Sequence, residues 1–423
     1  MAHEGLEPGR AVLYNLAALN LPTPYSDALR SLEFNHFFAG YRGPRFTVCT
    51  GDGWSWPLPA PHRPEFTARF RSRADLDAVI RSDGEALLAR SFLNGALEIQ
   101  GNFFALLAAA EYALLHSEGL SSSLVQTLTR LSSEFAHRLL HMRGSTGPRN
   151  WRCIPCPVDL PPGFFEQWLG PLRAHCCASF HSSQEDLGPA ENRALDRACA
   201  LLELHRSDRF LEIGCGWGSL LVHAARRYGV EARGIASSET QAAAARAHIY
   251  RCGLDHVCRI ETRDLRTAPY PAESLDKIAD IGIFEQVSSS EFDRYVKSLQ
   301  RMLAPGGLLL LHRMTPVRSG HSLVRSVHPG LPHEPLSKEL AMAETAGWEL
   351  VDVETLDQDY ARTLRAWIAR LRQNSDAGKA RIFSHSYRAW LLYLLEIAAS
   401  LQAQELQVHR ILMRRPARLR AAA

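Results

Sequence analysis

Arg209-Phe210-Leu211-Glu212-Ile213-Gly214-Cys215-Gly216-Trp217-Gly218, running on into Ser219 to Tyr228, is the stretch that decides the fold. Residues 209–213 have strand character, three alternating glycines follow, and the apolar residues of 219–228 have helical spacing. A strand, a glycine turn and a helix N-terminus in that order let a ligand lie against bare backbone. The helix start adds unpaired N–H donors and partial positive charge. An adenosine-bearing cofactor is the ligand class such a turn serves. The spacing is GxGxG rather than GxGxxG, and the second strand ends in Gly234-Ile235-Ala236-Ser237-Ser238, with no acid to hold a ribose. Both features argue against a nicotinamide cofactor.

Downstream, strand and helix patterns alternate: strand 231–235, helix 239–250, strand 257–262, strand 276–282, helix 290–302 and strand 307–313. Helical segments at 360–373 and 379–404 lead to a last strand-like run, Gln407 to Arg414. Alternation of this kind predicts a mostly parallel sheet with helices on both faces, a Rossmann-like α/β domain. Ala304-Pro305-Gly306-Gly307 reads as the C-cap of the helix before it. Upstream, a helical lead-in over 1–30 gives way to short strands at 46–49, 54–58, 66–70 and within 92–101. Helical patterns at 74–82, 103–116 and 122–140 accompany them. The expected division is a small α/β N-terminal domain over 1–142, a linker at 143–156 and the main domain over 157–415, with a basic tail at 416–423.

Hydrophobic content of 46% and charged content of 22% are those of a soluble globular protein, and a net charge of +3 gives no reason to expect nucleic acid as a partner. Arg410, Arg414, Arg415, Arg418 and Arg420 cluster beside Ile411, Leu412 and Met413. That cluster reads either as a patch for an anionic membrane or as a solvated tail. No signal peptide or membrane span is visible, since the apolar run Phe103 to Leu115 is short and broken by Glu111. The expected location is the cytoplasm or the membrane periphery. Nine cysteines, several inside predicted elements, argue against a disulfide framework. Cys199 shares a helical face with Leu195 and Leu202, a core position. Cys153-x-x-Cys156, with His175, Cys176, Cys177 and His181 beyond, has one half of a zinc knuckle but not the second, so no metal is assigned.

Four blocks stand in one order along the chain: Gly214 to Gly218, Ile283-Phe284-Glu285-Gln286-Val287, Leu310-Leu311-His312 and Asp359-Tyr360-Ala361-Arg362-Thr363-Leu364. In this the chain resembles the cyclopropane-fatty-acid synthases, a family that includes the mycolic-acid cyclopropane synthases and related fatty-acid methyltransferases. The likeness covers residues 157–415 well and 25–115 more loosely. It implies a class I methyltransferase fold and S-adenosylmethionine as cofactor. The implied reaction is methyl or methylene transfer to the double bond of an unsaturated acyl chain in a phospholipid, at a membrane surface. It also suggests homodimers.

Carried over position by position, the resemblance assigns Gly214, Gly216, Gly218 and Gln241 to the cofactor. Glu212 and Glu261 stand where the family has aspartates. It assigns Glu285, His312, Tyr360 and the backbone around Cys177 to a bound bicarbonate that serves as base. The chemistry asks for such a group. A double bond is a weak nucleophile, the acyl chain needs an apolar groove, and a proton must leave to a base that is not itself a nucleophile. Phe284, Trp367, Tyr387, Trp390 and Tyr393 could supply aromatic walls.

The chain also departs from the family pattern. A His-Tyr-Asp-x-x-Asn segment that helps cover the cofactor is here Pro157-Val158-Asp159-Leu160-Pro161-Pro162, and the Tyr-Ser pair before the cysteine is His175-Cys176. Gln286 replaces a histidine, and Ala236-Ser237 replaces a threonine–leucine pair. Two other readings therefore stay open: a small-molecule N- or C-methyltransferase of the same fold, and a lipid- or cofactor-binding pseudoenzyme.

Overall fold

Phe46, Val48 and Thr50 are buried while Thr47 and Cys49 are half-buried, and Phe66, Ala68 and Phe70 are buried in the same alternation. A period of two makes strands with one covered face. In this first unit, Met1–Phe135, α1 (Thr23–Phe37) precedes β1 (Phe46–Thr50), β2 (Ser55–Trp56) and β3 (Phe66–Phe70). Then come α2 (Arg73–Arg81), α3 (Glu85–Leu93), β4 (Leu97–Gly101) and α4 (Phe103–His116). The sheet order is β2-β1-β3-β4, with β1 and β3 parallel and both outer pairs antiparallel. Phe46 stacks on Phe66 at 4.9 Å and meets Phe38 edge-on at 4.8 Å. Arg30 pairs with Asp77 and Arg73 with Asp27, tying α1 to α2.

The second unit is Ala136–Ala423. Its elements begin with α5 (Pro162–Phe165), α6 (Leu187–Leu201), β5 (Arg209–Ile213), α7 (Ser219–Tyr228), β6 (Glu231–Ala236) and α8 (Glu239–Arg251). They continue with β7 (Cys258–Thr262), β8 (Leu275–Ile281), α9 (Ser289–Met302), β9 (Leu303–Pro316) and α10 (Leu336–Thr345). Last come β10 (Glu349–Thr355), α11 (Asp357–Asp376), α12 (Ser384–Gln402) and β11 (Leu406–Arg414). The computed structural model describes residues 23–57, 63–81, 85–116, 160–170, 172–263, 270–281, 287, 289–317, 334–376 and 384–417. The expected helix at 122–140, the linker residues 143–156, Pro157 to Asp159, Phe284, Glu285 and Gln286 lie outside them, as do Arg418 and Arg420.

Seven strands lie in the order β10-β11-β9-β8-β5-β6-β7. The five from β9 to β7 are parallel, and β11 runs antiparallel to both β9 and β10. This is the mostly parallel Rossmann-like sheet that the alternation predicts. Phe210, Ala232, Leu308, Leu310 and Leu412 face Leu220, Leu221, Ala242 and Ala245 of α7 and α8 in one apolar layer. Leu211, Ile213, Ile278, Leu309, Leu311 and Ile411 face Phe292, Val296 and Leu299 of α9 in the other. Successive strand residues thus feed opposite cores, as strands covered on both faces must.

Two local expectations are corrected. Helix α9 ends at Met302 and β9 starts at Leu303, so Ala304–Gly307 is no helix cap. The β8–β9 register slips between Leu275 and Lys277, Gly306 takes φ +83°, and its N–H donates to Arg415 O at 2.9 Å. The glycines serve a bulge in the sheet. Nor is the basic cluster a tail from Arg410 onward: Ile411–Met413 are core, and Arg410 itself is 3% exposed. Arg415 pairs with Glu273 at 3.0 Å. Among the described residues no helix is long and apolar enough to cross a membrane.

Gly234 in β6 shows how tightly the layer behind the glycine turn is filled. A Cβ there would meet Leu221 Cδ1 at 2.5 Å, Cys215 Sγ at 2.7 Å and Ile260 Cδ1 at 2.7 Å. Gly234→Ala is expected to cost about 1–3 kcal/mol through overpacking. Thermal unfolding measures it, and an unchanged midpoint would mean that the layer yields freely.

Candidate active site

β5 sits between β6 and β8, where the chain's crossovers diverge to opposite sides, and the crevice beyond the strand ends at such a point is where open α/β sheets bind ligands. The registers Glu212↔Gly234 and Ile235↔Glu261 bring the ends of β5, β6 and β7 side by side. Gly214, Gly216 and Gly218 all have positive φ, at +71°, +50° and +80°. Cys215 N–H donates to Ile235 O at 3.0 Å, and Gly218 N–H to Cys215 O at 2.8 Å, so the turn is clamped to β6. A Cβ added to Gly216 would meet nothing within 4 Å, so the backbone here faces open space. Helix α7 starts from Gly218 with no side-chain cap, which leaves its first N–H groups for a ligand.

Glu212 is 7% exposed, and its Oε2 finds no hydrogen-bond partner among the described residues. Burial pushes its carboxyl up to about 8. A buried acid beside the glycine turn, with one oxygen turned to the Leu221 backbone and the other without a partner among the described residues, fits a cofactor that carries an ammonium group. At the end of β6 the Ser237 hydroxyl donates to Gln241 Oε1 at 2.9 Å, and Ser238 Oγ caps α8 by accepting from Gln241 N at 3.2 Å. Ser237, one of the departures from the family pattern, therefore orients the Gln241 side chain. Glu261, half-buried at the end of β7, accepts from Arg263 and from the Tyr270 hydroxyl. These residues fit S-adenosylmethionine: bare backbone, donors at a helix start, and acids at the strand ends.

The raised acid has a measurable consequence. An unfolded glutamate ionises near 4.5 and Glu212 near 8, so the folded protein holds an extra proton between those values. The stability that proton brings is complete below the lower value and lost as pH climbs through the upper one. Glu191, buried and also pushed to about 8, adds a slope of the same sign. Glu212→Gln is expected to flatten the fall in unfolding temperature between about pH 5 and 8, and to stabilise the cofactor-free protein at pH 8 by about 1–3 kcal/mol. Cofactor affinity should fall in the same variant. A slope that does not change would show that Glu212 is ionised in the folded state.

His312, Tyr360 and Cys177 occupy the other wall. Tyr360 stands in the first turn of α11, 9% exposed, with Asp359 beside it and Thr363 on the next turn. Ala178 N–H donates to Thr363 Oγ1 at 3.1 Å and Phe180 N–H to Asp359 Oδ1 at 3.3 Å, which pins the strand-like segment after Cys177 onto α11. His312 lies in β9, directly across from Arg410 in β11. Arg410 Nε donates to His312 Nε2 at 3.1 Å, and its Nη1 bonds Glu354 Oε2 at 2.9 Å. Burial, helped by the Arg410 charge, holds His312 well below the usual imidazole range, while burial drives the Cys177 thiol well up. The charge of Arg410 is felt at Cys176 and Cys177 as well as at His312. Cys177 is a neutral thiol there, suited to shaping a site and not to attack. Glu285 lies outside the described residues; β8 ends at Ile281, in register with His312.

Between the two walls stands an aromatic group that the sequence only half disclosed. The His175 ring lies 5.2 Å from Trp367, 5.7 Å from Trp390 and 6.0 Å from Trp168. All three tryptophans are buried while His175 keeps an exposed edge, and the apolar rings around it bring its imidazole down to about 4. Phe165 joins this group to Trp217 of the glycine turn at 5.1 Å, and Trp367 joins it to Tyr360 at 6.3 Å. A continuous run of ring contacts therefore extends from the glycine turn to Tyr360. Sequence reasoning missed Arg410 and Trp168, and it marked Thr363 only as part of a motif; Asp359 and Thr363, one helical turn apart, carried the legible signal.

The comparisons agree with this geometry. The mycolic acid cyclopropane synthetase family matches residues 148–411. A probable fatty acid methyltransferase of Pseudomonas putida is 32% identical over 269 residues, 61% of this chain and 68% of that protein. A second, from Mycobacterium tuberculosis, is 28% identical, and the match spans 65% of its length. Cyclopropane mycolic acid synthase 1 of Mycobacterium tuberculosis is 27% identical over 57% of this chain and 89% of that protein. The solved cyclopropane synthase MmaA2 from Mycobacterium tuberculosis superposes with a TM-score of 0.56 at 25% identity, covering 61% of this chain and 95% of that one. A coclaurine N-methyltransferase shares the fold, with a TM-score of 0.57 at 17% identity over 78% of this chain and 99% of that one. The chain belongs to the mycolic acid cyclopropane synthetase family, and it is an S-adenosylmethionine-dependent methyltransferase.

Proposed function

We propose that the protein transfers a methyl or methylene group to the double bond of an unsaturated fatty-acyl chain of a phospholipid, working at a membrane surface. The observation that carries the reading is the run of aromatic contacts that joins the open glycine turn to Tyr360, beside the His312 and Cys177 side chains. Gly214, Gly216, Gly218, Gln241, Glu212 and Glu261 would hold the cofactor. Bound S-adenosylmethionine supplies a methyl group on a sulfonium, electrophilic enough for an alkene. Trp367, Trp390 and Tyr393, all buried, would give the site apolar aromatic surroundings that exclude water. Glu285, His312, Tyr360 and the backbone around Cys177 would hold bicarbonate, which supplies a base there. His312, being neutral, donates one N–H to an oxyanion without competing for the proton.

One observation favours a smaller, more polar acceptor as second reading. The indole N–H groups of Trp168, Trp367 and Trp390 are buried and find no acceptor among the described residues. A ligand with oxygen or nitrogen acceptors would satisfy them. The deciding experiment incubates the protein with methyl-labelled S-adenosylmethionine and vesicles of monounsaturated phosphatidylglycerol, followed by mass spectrometry of both phases. Acyl chains heavier by one methylene unit, with label retained, support the lipid reading. Unchanged lipid with a labelled soluble product, when a cell extract is added, moves the assignment to the small-molecule class. Failure to bind the cofactor in a folded sample leaves the pseudoenzyme.

A further inference from the structure

We infer that Arg410 is a positioning residue for His312: by donating to Nε2 it commits the imidazole to the tautomer that carries its proton on Nδ1, the nitrogen left to face the oxyanion. The inference rests on the reading of His312 as a donor to a bound oxyanion and adds what sets its protonation. A guanidinium has donors and no acceptor, so the 3.1 Å contact from Arg410 Nε requires a lone pair on His312 Nε2. An imidazolium would set N–H against N–H, and the opposite tautomer would do the same. Both side chains are fixed. They are directly paired across β9 and β11, Arg410 is 3% exposed and His312 7%. Glu354 on β10 holds the far end of the guanidinium at 2.9 Å, and Arg197 of α6 reaches the same carboxylate oxygen at 3.7 Å. Three adjacent strands thus orient one ring. Groups that orient an imidazole in this way fix which nitrogen is free for chemistry.

The alternative is a purely structural ion pair, Arg410–Glu354, that happens to touch His312. The two make different demands on the full-length protein labelled with 15N-histidine. His312 is assigned by comparing the wild-type spectrum with that of His312→Gln. The expected wild-type signature is a protonated Nδ1 and an unprotonated Nε2, persisting down to about pH 5. A protonated Nε2 in the wild type overturns the inference, whatever the variants do. In Arg410→Leu the signature should give way to a mixture of tautomers. With phospholipid vesicles and saturating cofactor, kcat should fall by about 10- to 100-fold, the range seen when the group orienting an imidazole is lost. KM for S-adenosylmethionine should stay within about twofold, because the cofactor residues lie on the opposite wall. Arg410→Lys, which keeps a charged donor, should recover most of that loss and most of the signature. An unaltered His312 signature in Arg410→Leu, with activity lost only in step with unfolding temperature, overturns the inference in favour of the structural pair. If Arg410→Leu does not fold, the wild-type and Arg410→Lys spectra still decide. The tautomer is read without turnover, so a correct signature in a protein inert toward phospholipid supports the inference while the lipid reading fails. An inverted signature in an active enzyme does the reverse.

Discussion

Gly216→Val is expected to abolish saturable binding of S-adenosylmethionine while the protein remains folded. The residue holds φ +50°, a left-handed conformation that costs a β-branched side chain roughly 1–2 kcal/mol. That strain is all the fold has to absorb, because a Cβ at this position has no neighbour within 4 Å. The ligand meets the substitution differently. The open space over Gly216 is the approach to the backbone of the turn, and an isopropyl group there holds any ligand off it. Calorimetry with purified protein reads the outcome directly. Wild-type protein should bind with a stoichiometry near one and the variant should give no isotherm at millimolar cofactor, with an unfolding midpoint within a few degrees of wild type. Binding weakened by less than about tenfold would move the cofactor away from this turn.

Glu285→Gln is expected to lower turnover by about 10²–10⁴-fold, the range that acid–base machinery commonly contributes, with cofactor binding unchanged. The proposed function has it hold the base, and an amide can hold an oxyanion by its N–H but cannot accept a proton from it. Tyr360→Phe removes only a hydroxyl and should cost less, since one neutral hydrogen bond among several is lost. Both effects are read as kcat on phospholipid vesicles at saturating cofactor, alongside calorimetry of cofactor binding. If Glu285→Gln turned over the true substrate at the wild-type rate, the base would have to be held by other residues.

The fold was legible because its signals are local. The run from Arg209 to Tyr228 states a strand, a turn and a helix within 20 residues, and the boundaries of β5 and α7 agree with it to the residue. Strand partners were harder to read, and Arg410 shows why. In sequence it is an arginine near other arginines, which suggests a solvated or membrane-facing surface. In the sheet it is flanked by Leu412 and Val408 on the same face and meets His312, 98 residues away. Nothing within a short window announces such a partner. The glycines of Ala304–Gly307 failed for a related reason: a helix cap and a strand bulge both call for positive φ, and only the register of β8 and β9 tells them apart. The ring cluster around His175 was invisible because its members come from the turn after α5, from α11, from α12 and from the segment before Cys177, four stretches that pattern reading treats separately.

The place of β11 has a consequence for how the protein is made. A ribosome delivers residues in order, and the strand that completes the sheet between β9 and β10 is the last to emerge of the eleven. Until it inserts, β9 offers an open edge, and His312 has neither its donor nor its burial. A nascent or clipped chain can thus have its glycine turn formed and still lack an ordered imidazole. Ordering of the His312 ring is coupled to closure of the sheet, so no incomplete copy has that ring in place.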